Sequence, residues 1–239
     1  MSTRRLHEQQ PESFAFTSEN RAWAEKEMAK YPPGRQASAV IALLWRGQHQ
    51  EGWVTKPMIE EVARFLGMAR VRVLEVATFY TMFNLAPVGR HLVQVCTTTP
   101  CWLAGSDQVV EACKQHIAPR PNTISPDGMF SWMEVECLGA CVNAPVMQIA
   151  RDFYEDLDRS KTTAILEALR RGERPSPGSQ IGRHSSEPVG GPTTLTDRSL
   201  YDGTRRSGGP ARADGAGQMA GQGGNDRESP VQKPPGAAT

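Results

Sequence analysis

The sequence has little net charge and no long apolar run. Its 27 Lys and Arg residues nearly balance its 26 Asp and Glu residues, so the formal net charge of +1 predicts no binding of nucleic acid. No apolar stretch approaches the roughly 18 residues that suggest a membrane span. Arg4 and Arg5 have no apolar segment behind them, so we expect no secretory signal. The composition therefore predicts a soluble protein of a reducing compartment, without direct membrane insertion.

Nucleotide-binding motifs are missing as well. No Walker A sequence occurs, and a formal G-x-G-x-x-A match at residues 215–220 lies in low-complexity sequence with no strand before it. We therefore expect no NADH or FMN site on this chain.

Cysteine is scarce, but its five residues are unevenly placed. Four residues separate Cys96 from Cys101, three separate Cys137 from Cys141, and Cys113 stands apart. Structural disulfides are rare in a reducing compartment, and an odd number of cysteines fits poorly with complete pairing. The two short pairs instead predict one four-thiolate site, which closes when the fold brings the pairs together.

Iron–sulfur and zinc chemistry both fit this pattern. A [2Fe–2S] cluster has two irons with two outer ligands each, so two close pairs suit it, and Thr97, Thr98 and Thr99 offer hydroxyl and N–H groups near sulfur. Structural zinc also takes four cysteines at such spacings, and spacing alone does not exclude it. A thiol oxidoreductase is disfavoured because no Cys-x-x-Cys occurs. Nothing in the sequence places His91 or His116 beside a thiol for nucleophilic catalysis. An iron–sulfur cluster is our first hypothesis.

Hydrophobic patterning divides the chain into parts. Residues 1–17 are predicted to be a polar leader, and residues 18–84 show apolar stripes at helical spacing, which predicts a bundle of about four helices. Residues 90–171 are predicted to form a small α/β unit. Residues 172–239 hold 14 of the 22 glycines and 8 of the 18 prolines and contain no Trp, Phe or Cys, so we expect disorder there.

Finer patterns place the cysteine pairs. Strands are predicted at 91–95 and 129–136, and they lead into Cys96 and Cys137. A linker that includes Gly89 precedes the first of them. The remaining elements are helices predicted over 18–30, 36–50, 55–67, 70–83, 105–117 and 158–171, and a short strand over 146–150.

Some further side chains have both a structural and a functional interpretation. Cys113 lies on an apolar helix face and is predicted to be a buried hydrophobe rather than a reactive thiol. Trp132 alternates within a predicted strand and is assigned to the core. Trp102 either packs in the core, shields the site or contacts a partner. Glu134 and Glu136 are expected to line a solvated or subunit-facing edge.

Longer motifs around the pairs resemble a known family. The sequences Cys96-Thr-Thr-Thr-Pro-Cys101-Trp-Leu and Val135-Glu-Cys137-Leu-Gly-Ala-Cys141-Val-Asn-Ala-Pro145 are similar to the family of the 24 kDa subunit of NADH:quinone oxidoreductase, respiratory complex I, which is the E-type subunit in bacteria. Segments 31–33, 75–83 and 154–157 are similar to it too. The resemblance covers residues 14–171 and leaves the Gly-rich tail outside.

The resemblance implies an α/β (α+β) fold, in which an N-terminal helical bundle precedes a thioredoxin-like [2Fe–2S] ferredoxin domain. It implies one [2Fe–2S] cluster with Cys96, Cys101, Cys137 and Cys141 as its ligands. It places FMN and NADH on a larger partner subunit, which the chain contacts together with the neighbouring iron–sulfur subunit. The chain is then an electron-transfer subunit of an NADH dehydrogenase and has no complete active site of its own.

Two alternatives stay open at this point. The first is the equivalent diaphorase subunit of an NAD-linked formate dehydrogenase or hydrogenase, which the sequence of this chain separates only weakly from the subunit of an NADH dehydrogenase. The second is a zinc-stabilised interaction module, which has no redox role. The expected location is the cytoplasmic face of a bacterial inner membrane, as a peripheral part of a complex. We prefer it to the mitochondrial matrix because the N-terminus contains acidic residues and does not resemble an amphipathic transit peptide.

Overall fold

The computed structural model describes residues 4–191 and 193–197. Its first four helices are α1 (Ser18–Met28), α2 (Val40–Glu51), α3 (Lys56–Leu66) and α4 (Arg70–Phe79), and a 3-10 turn, Gln36–Ala39, precedes α2. Their apolar faces meet in one core, in which the fully buried side chains include those of Leu43, Leu44, Met58, Val62 and Val73. The helical bundle predicted from the apolar spacing is therefore present.

Local signals set both ends of α3. Thr55 Oγ1 accepts a hydrogen bond from the Met58 N–H at 3.2 Å, and Pro57 lies in the first turn. Gly67 follows the last helical residue with a left-handed φ of 63°, which glycine adopts without a steric penalty. The sequence predicted this start and this end.

Helix α4 ends earlier than its apolar spacing predicts. We expect it to reach residue 83, but it stops at Phe79, because Tyr80 is extended and the chain turns to bury Phe83 completely. The Arg4 guanidinium donates hydrogen bonds to backbone carbonyls at this end, those of Ala77, Thr78, Tyr80 and Phe83. Carbonyls at a helix C-terminus lack intrahelical donors, so a cation is well placed there. The polar leader is thus attached to the bundle.

A mixed sheet follows the bundle. Its strands within the described residues are β1 (His91–Cys96), β2 (Phe130–Val135), β3 (Met147–Ile149), β4 (Asp152–Glu155) and β5 (Gly178–Ser179). They lie in the order β2-β1-β3-β4-β5. The pairs β1/β2 and β4/β5 are parallel, and the pairs β1/β3 and β3/β4 are antiparallel.

Three helices accompany this sheet in the described part of the chain. They are α5 (Thr99–Leu103), which the sequence did not predict, α6 (Ser106–His116) and α7 (Arg159–Arg170). Helices α6 and α7 pack against each other and share a core with the strands. Trp132 is fully buried in that core, as predicted, and its Nε1 donates to the Ala118 carbonyl at 2.8 Å. Among the described residues, no helix is both long and apolar enough to cross a membrane.

The parallel pairing of β1 and β2 positions both cysteine pairs. The register aligns Cys96 with Val135, so the two strands end side by side. Because parallel strands run in the same direction, the segments that leave them begin at the same edge of the sheet. Cys137 therefore lies two residues beyond the strand partner of Cys96.

Regular structure continues past the boundary predicted at residue 171. Beyond it, β5 pairs with β4, and Gln180 donates from its backbone to the Glu155 carbonyl at 3.0 Å. The Gly and Pro content of the last 68 residues does not reveal this stretch, because the residues with which it pairs are distant in the sequence. Of the segment predicted to be disordered, residues 192 and 198–239 lie outside the described residues.

Candidate metal centre

The first cysteine pair is buried at the end of β1. Cys96 is the last residue of the strand, and its backbone N–H donates to the Val146 carbonyl at 3.1 Å. Cys101 lies in α5, the short helix that begins directly after Thr98. Both cysteines are 1% exposed, and Val146 packs against them. Strand and helix therefore hold this pair from two sides.

The second pair lies in a more open loop. The Cys137 and Cys141 sulfurs are 3.4 Å apart, and the Gly139 N–H donates to Cys137 Sγ at 3.3 Å. Gly139 turns the loop with a φ of 83°, a conformation that favours glycine. Cys141 begins a 3-10 turn, Cys141–Asn143. Cys137 is exposed and Cys141 is half-buried, so this pair faces solvent.

The two pairs lie close enough to influence each other's thiols. The Leu138 N–H, from the loop of the second pair, favours the thiolate of Cys96, and the Val146 N–H favours that of Cys101. Cys141 is close enough to interact electrostatically with both Cys96 and Cys101. The structure thus brings the four sequence-predicted thiols to one edge of the sheet.

Burial and hydrogen bonding act differently on the individual thiols. Burial raises the pKa of Cys101 to about 12, and its hydrogen bond to Cys96 adds to the effect. Burial also opposes ionisation of Cys96, but hydrogen bonds from Thr98, whose Oγ1 lies 3.3 Å from the sulfur, and from Leu138 outweigh it and lower the pKa of Cys96. Contact with Cys137 raises the pKa of Cys141. Among Cys96, Cys101 and Cys141, the fold therefore favours the thiolate only at Cys96.

The donor set and its surroundings fit an iron–sulfur cluster. The members of each pair lie together: Cys96 and Cys101 pack in one buried cluster, and the sulfurs of Cys137 and Cys141 are 3.4 Å apart. Two close pairs suit two irons with two outer thiolates each, and N–H groups near sulfur tune such a cluster. Within residues 4–191 and 193–197, no three His, Cys, Asp or Glu side chains are arranged around a single metal ion.

Other candidate side chains lie away from the four thiols. Cys113 is fully buried on α6, where burial raises its pKa to about 12, as expected for a packing residue. The His91 ring lies against Phe130, with ring centroids 5.4 Å apart. His116 Nε2 lies 3.3 Å from Thr163 Oγ1. These contacts give no Cys/His nucleophile.

Three exposed apolar side chains, which we call the apolar rim, lie beside the cysteine pairs in the sequence. Trp102 is 64% exposed, Leu103 is 74% exposed and Val142 is 62% exposed. Trp102 and Leu103 directly follow Cys101 in the sequence, and Val142 directly follows Cys141. Core packing is thus excluded for Trp102, one of the roles that the sequence left open. Glu134 and Glu136 are exposed, as expected. Leu103 and Val142 had not been singled out from the sequence, because single apolar residues beside cysteines carry no periodic signal.

Comparisons with known proteins agree with this geometry. The sequence model of the family described as thioredoxin-like [2Fe-2S] ferredoxin matches residues 24–170. The E-type NADH-quinone oxidoreductase subunit (number 1) of Rhizobium meliloti (strain 1021) is 54% identical over 200 residues, which are 82% of this chain and 73% of the relative. The E-type NADH-quinone oxidoreductase subunit of Rickettsia bellii (strain RML369-C) is 51% identical over 159 residues, which are 66% of this chain and 95% of the relative.

A solved structure shares the fold. The crystal structure of an NAD+-reducing [NiFe]-hydrogenase in the H2-reduced state aligns with a TM-score of 0.51 at 17% identity. The alignment covers 57% of this chain and 23% of the hydrogenase chain. The family match and the two curated relatives carry the assignment: the chain belongs to the thioredoxin-like [2Fe–2S] ferredoxin family, in the group of E-type subunits of NADH-quinone oxidoreductase.

Proposed function

We propose that this chain is an electron-transfer subunit that carries one [2Fe–2S] cluster on Cys96, Cys101, Cys137 and Cys141. The observation that carries the proposal is the meeting of two close thiol pairs at one sheet edge, with Cys96 and Cys101 in one buried cluster and the sulfurs of Cys137 and Cys141 3.4 Å apart. When bound, the cluster supplies reversible one-electron chemistry. The chain itself breaks no bond.

The residues around the thiols have distinct tasks in this proposal. The end of β1 and helix α5 hold the first pair away from water, since both of its thiols are buried. The Gly139 N–H donates to Cys137 Sγ, and the N–H groups of Leu138 and Val146 favour the thiolates of Cys96 and Cys101, so all three offset the negative charge of thiolate ligands. The exposed second pair leaves one side of the site accessible to a redox partner.

The partner that we propose is a larger flavin subunit that binds FMN and NADH, next to a further iron–sulfur subunit. The two curated relatives are named as subunits of NADH-quinone oxidoreductase, at 54% and 51% identity, which favours this assembly over a formate dehydrogenase or hydrogenase. The apolar rim of Trp102, Leu103 and Val142 is a surface suited to a protein contact. We further propose that the assembly lies at the cytoplasmic face of a bacterial inner membrane, where this chain is peripheral.

Spectroscopy and metal analysis of the purified chain test the proposal. We expect about two irons and two acid-labile sulfides per chain, visible absorption that dithionite bleaches, and an EPR signal in the reduced state. A zinc-stabilised interaction module is the second candidate, because zinc also takes four cysteines. A colourless, EPR-silent protein with stoichiometric zinc and no iron would refute the redox function.

Two matched cysteine variants test the ligand assignment. Cys137→Ser removes a sulfur of the exposed pair, so we expect the cluster spectrum to be lost or the cluster to become unstable. Cys113→Ser makes the same chemical change on α6, away from the site, and we expect an intact spectrum. Visible absorption and EPR of both variants decide the point. Bleaching by Cys113→Ser would contradict the assignment.

A further inference from the structure

A short segment beyond the sheet contacts the loop of the second cysteine pair. We call residues 178–187 the strap; it begins with β5 and runs past Asn143. The family match ends at residue 170, before the strap. The strap therefore lies outside the part of the chain that defines the family.

A buried ion pair anchors the strap. Arg183 Nη2 and Asp156 Oδ1 are 2.5 Å apart, and their side chains are 8% and 5% exposed. Ser179 Oγ donates to the other Asp156 oxygen at 2.6 Å and accepts from the Arg183 backbone N–H at 3.2 Å. The strap is thus folded around a single carboxylate.

Two hydrogen bonds continue from the strap into the turn that contains Cys141. Arg183 Nη1 donates to the Val142 carbonyl at 3.3 Å, and Asn143 Nδ2 donates to the Ser185 carbonyl at 2.8 Å. From the sheet side, the Asp156 N–H donates to the Asn143 carbonyl at 2.7 Å. The turn is therefore held between the end of β4 and the strap.

Arginine suits this position for a geometric reason. Its planar fork reaches Asp156, Val142 and the Glu187 carbonyl at once, which the single charged nitrogen of lysine cannot do. A buried ion pair adds little net stability, because its attraction is offset by the loss of hydration of both charges. Its consequence here is a fixed position for the backbone next to Cys141.

We propose that the strap holds the second cysteine pair in place for the metal cluster, with Arg183 as the positioning residue for Cys141. The proposal rests on the proposed function, because it takes Cys137 and Cys141 as cluster ligands. It predicts that loss of the Arg183 contacts loosens this pair while the sheet and the helical bundle stay folded.

Full-length variants test the role of Arg183. Arg183→Met alone leaves the Asp156 charge buried without a partner, so it is accompanied by the double variant Arg183→Met/Asp156→Asn. Asn replaces Asp156 because that residue has a φ of 55°, which Asn tolerates better than other uncharged residues of its size. Arg171→Met is the control, since it breaks the exposed Arg171–Glu173 pair outside the strap.

The readouts separate cluster positioning from general stability. We expect both Arg183 variants to lose the visible absorption of the cluster about 10 to 100 times faster than wild type in the presence of a chelator, the range typical for supporting groups of metal ligands. We expect a changed EPR line shape in the reduced state. Thermal unfolding of the double variant, followed by far-UV circular dichroism, should stay close to that of wild type. Arg171→Met should match wild type in every readout.

Hydrogen exchange tests the strap without relying on a variant. In the wild-type chain, we expect protection of the backbone N–H groups of Gln180, Arg183 and Asp156, which donate within the strap or to its neighbours. Exchange of residues 178–185 at the rate of an unstructured peptide would overturn the proposal even if the variants failed to fold. Equal cluster lifetimes and EPR spectra in wild type and the Arg183 variants would overturn it as well. A wild-type chain that binds no iron would instead refute the proposed function.

Discussion

The structure predicts that Gly89, which lies between the helical bundle and the sheet, is needed for the stability of the fold. The sequence assigned it to a linker, but the structure buries it against the start of β2. A Cβ at this position would lie 2.2 Å from the Phe130 carbonyl carbon and 2.5 Å from its oxygen. The Gly89 N–H also donates to Ser131 Oγ at 3.1 Å. Gly89→Ala therefore forces either residue 89 or the first residue of β2 to move.

The cost of Gly89→Ala follows from which atoms must move. Overpacking in a dense interior costs about 1–3 kcal/mol, and the upper part of the range applies because backbone, not a flexible side chain, is in the way. Loss of the bond to Ser131 adds about 1 kcal/mol. For a chain of this size a total loss of roughly 3–4 kcal/mol lowers the midpoint of thermal unfolding by roughly 6–16 °C.

Gly47→Ala is the matched control. Its Cβ would lie 2.7 Å from Met58 Sδ, the flexible part of a side chain that can repack. Gly47 is inside α2, where Ala is favoured over Gly by about 1 kcal/mol, so the net change should stay within about 1 kcal/mol. Thermal unfolding of the two variants, followed by circular dichroism, measures the difference. If Gly89→Ala unfolded at the wild-type temperature, or Gly47→Ala lost as much stability, the close approach at Gly89 would be refuted.

Two further predictions concern single buried groups. Thr55→Ala removes the cap of α3 and should lower the free energy of unfolding in urea by about 1 kcal/mol, whereas Thr55→Ser keeps the capping oxygen and should lose less; equal losses would contradict the capping role. Burial raises the pKa of Cys113 from 9.0 to about 12, so its contribution to stability is present below pH 9 and should be lost as the pH rises towards 12, because the unfolded state ionises first. The native thiol should also resist iodoacetamide at pH 8, and mass spectrometry that found Cys113 alkylated as fast as in urea would refute its burial.

Elements with local signals could be predicted from the sequence. Thr55 and Gly67 mark the ends of α3 by side-chain capping and a left-handed φ, and both act within one turn of the chain. The strands before Cys96 and Cys137 showed in the alternation and length of their apolar runs. The end of α4 could not be predicted, because it depends on the burial of Phe83 in a core built by other helices.

The cysteines of the candidate site could be predicted from the sequence, but the groups that hold them in place could not. The spacing of the cysteines indicated two pairs, and the resemblance implied which metal group they hold. The donors to the sulfurs could not be found from the sequence, because the N–H groups of Leu138 and Val146 reach Cys96 and Cys101 only after β1 pairs with its neighbours. Arg183 and Asp156 could not be paired from the sequence for the same reason, since they lie 27 positions apart.

The two cysteine pairs are supported unequally, and this has a consequence for the proposed cluster. The first pair is buried and held by β1 and α5, both regular elements. The second is open to solvent and depends on a glycine turn and on the strap. Hydrolytic loss of a cluster needs access of water to its ligands, and of the two pairs only the second is open to solvent. On this assignment, loss begins at the second pair, and a partner that covers Trp102 and Val142 protects the cluster by excluding water from that side.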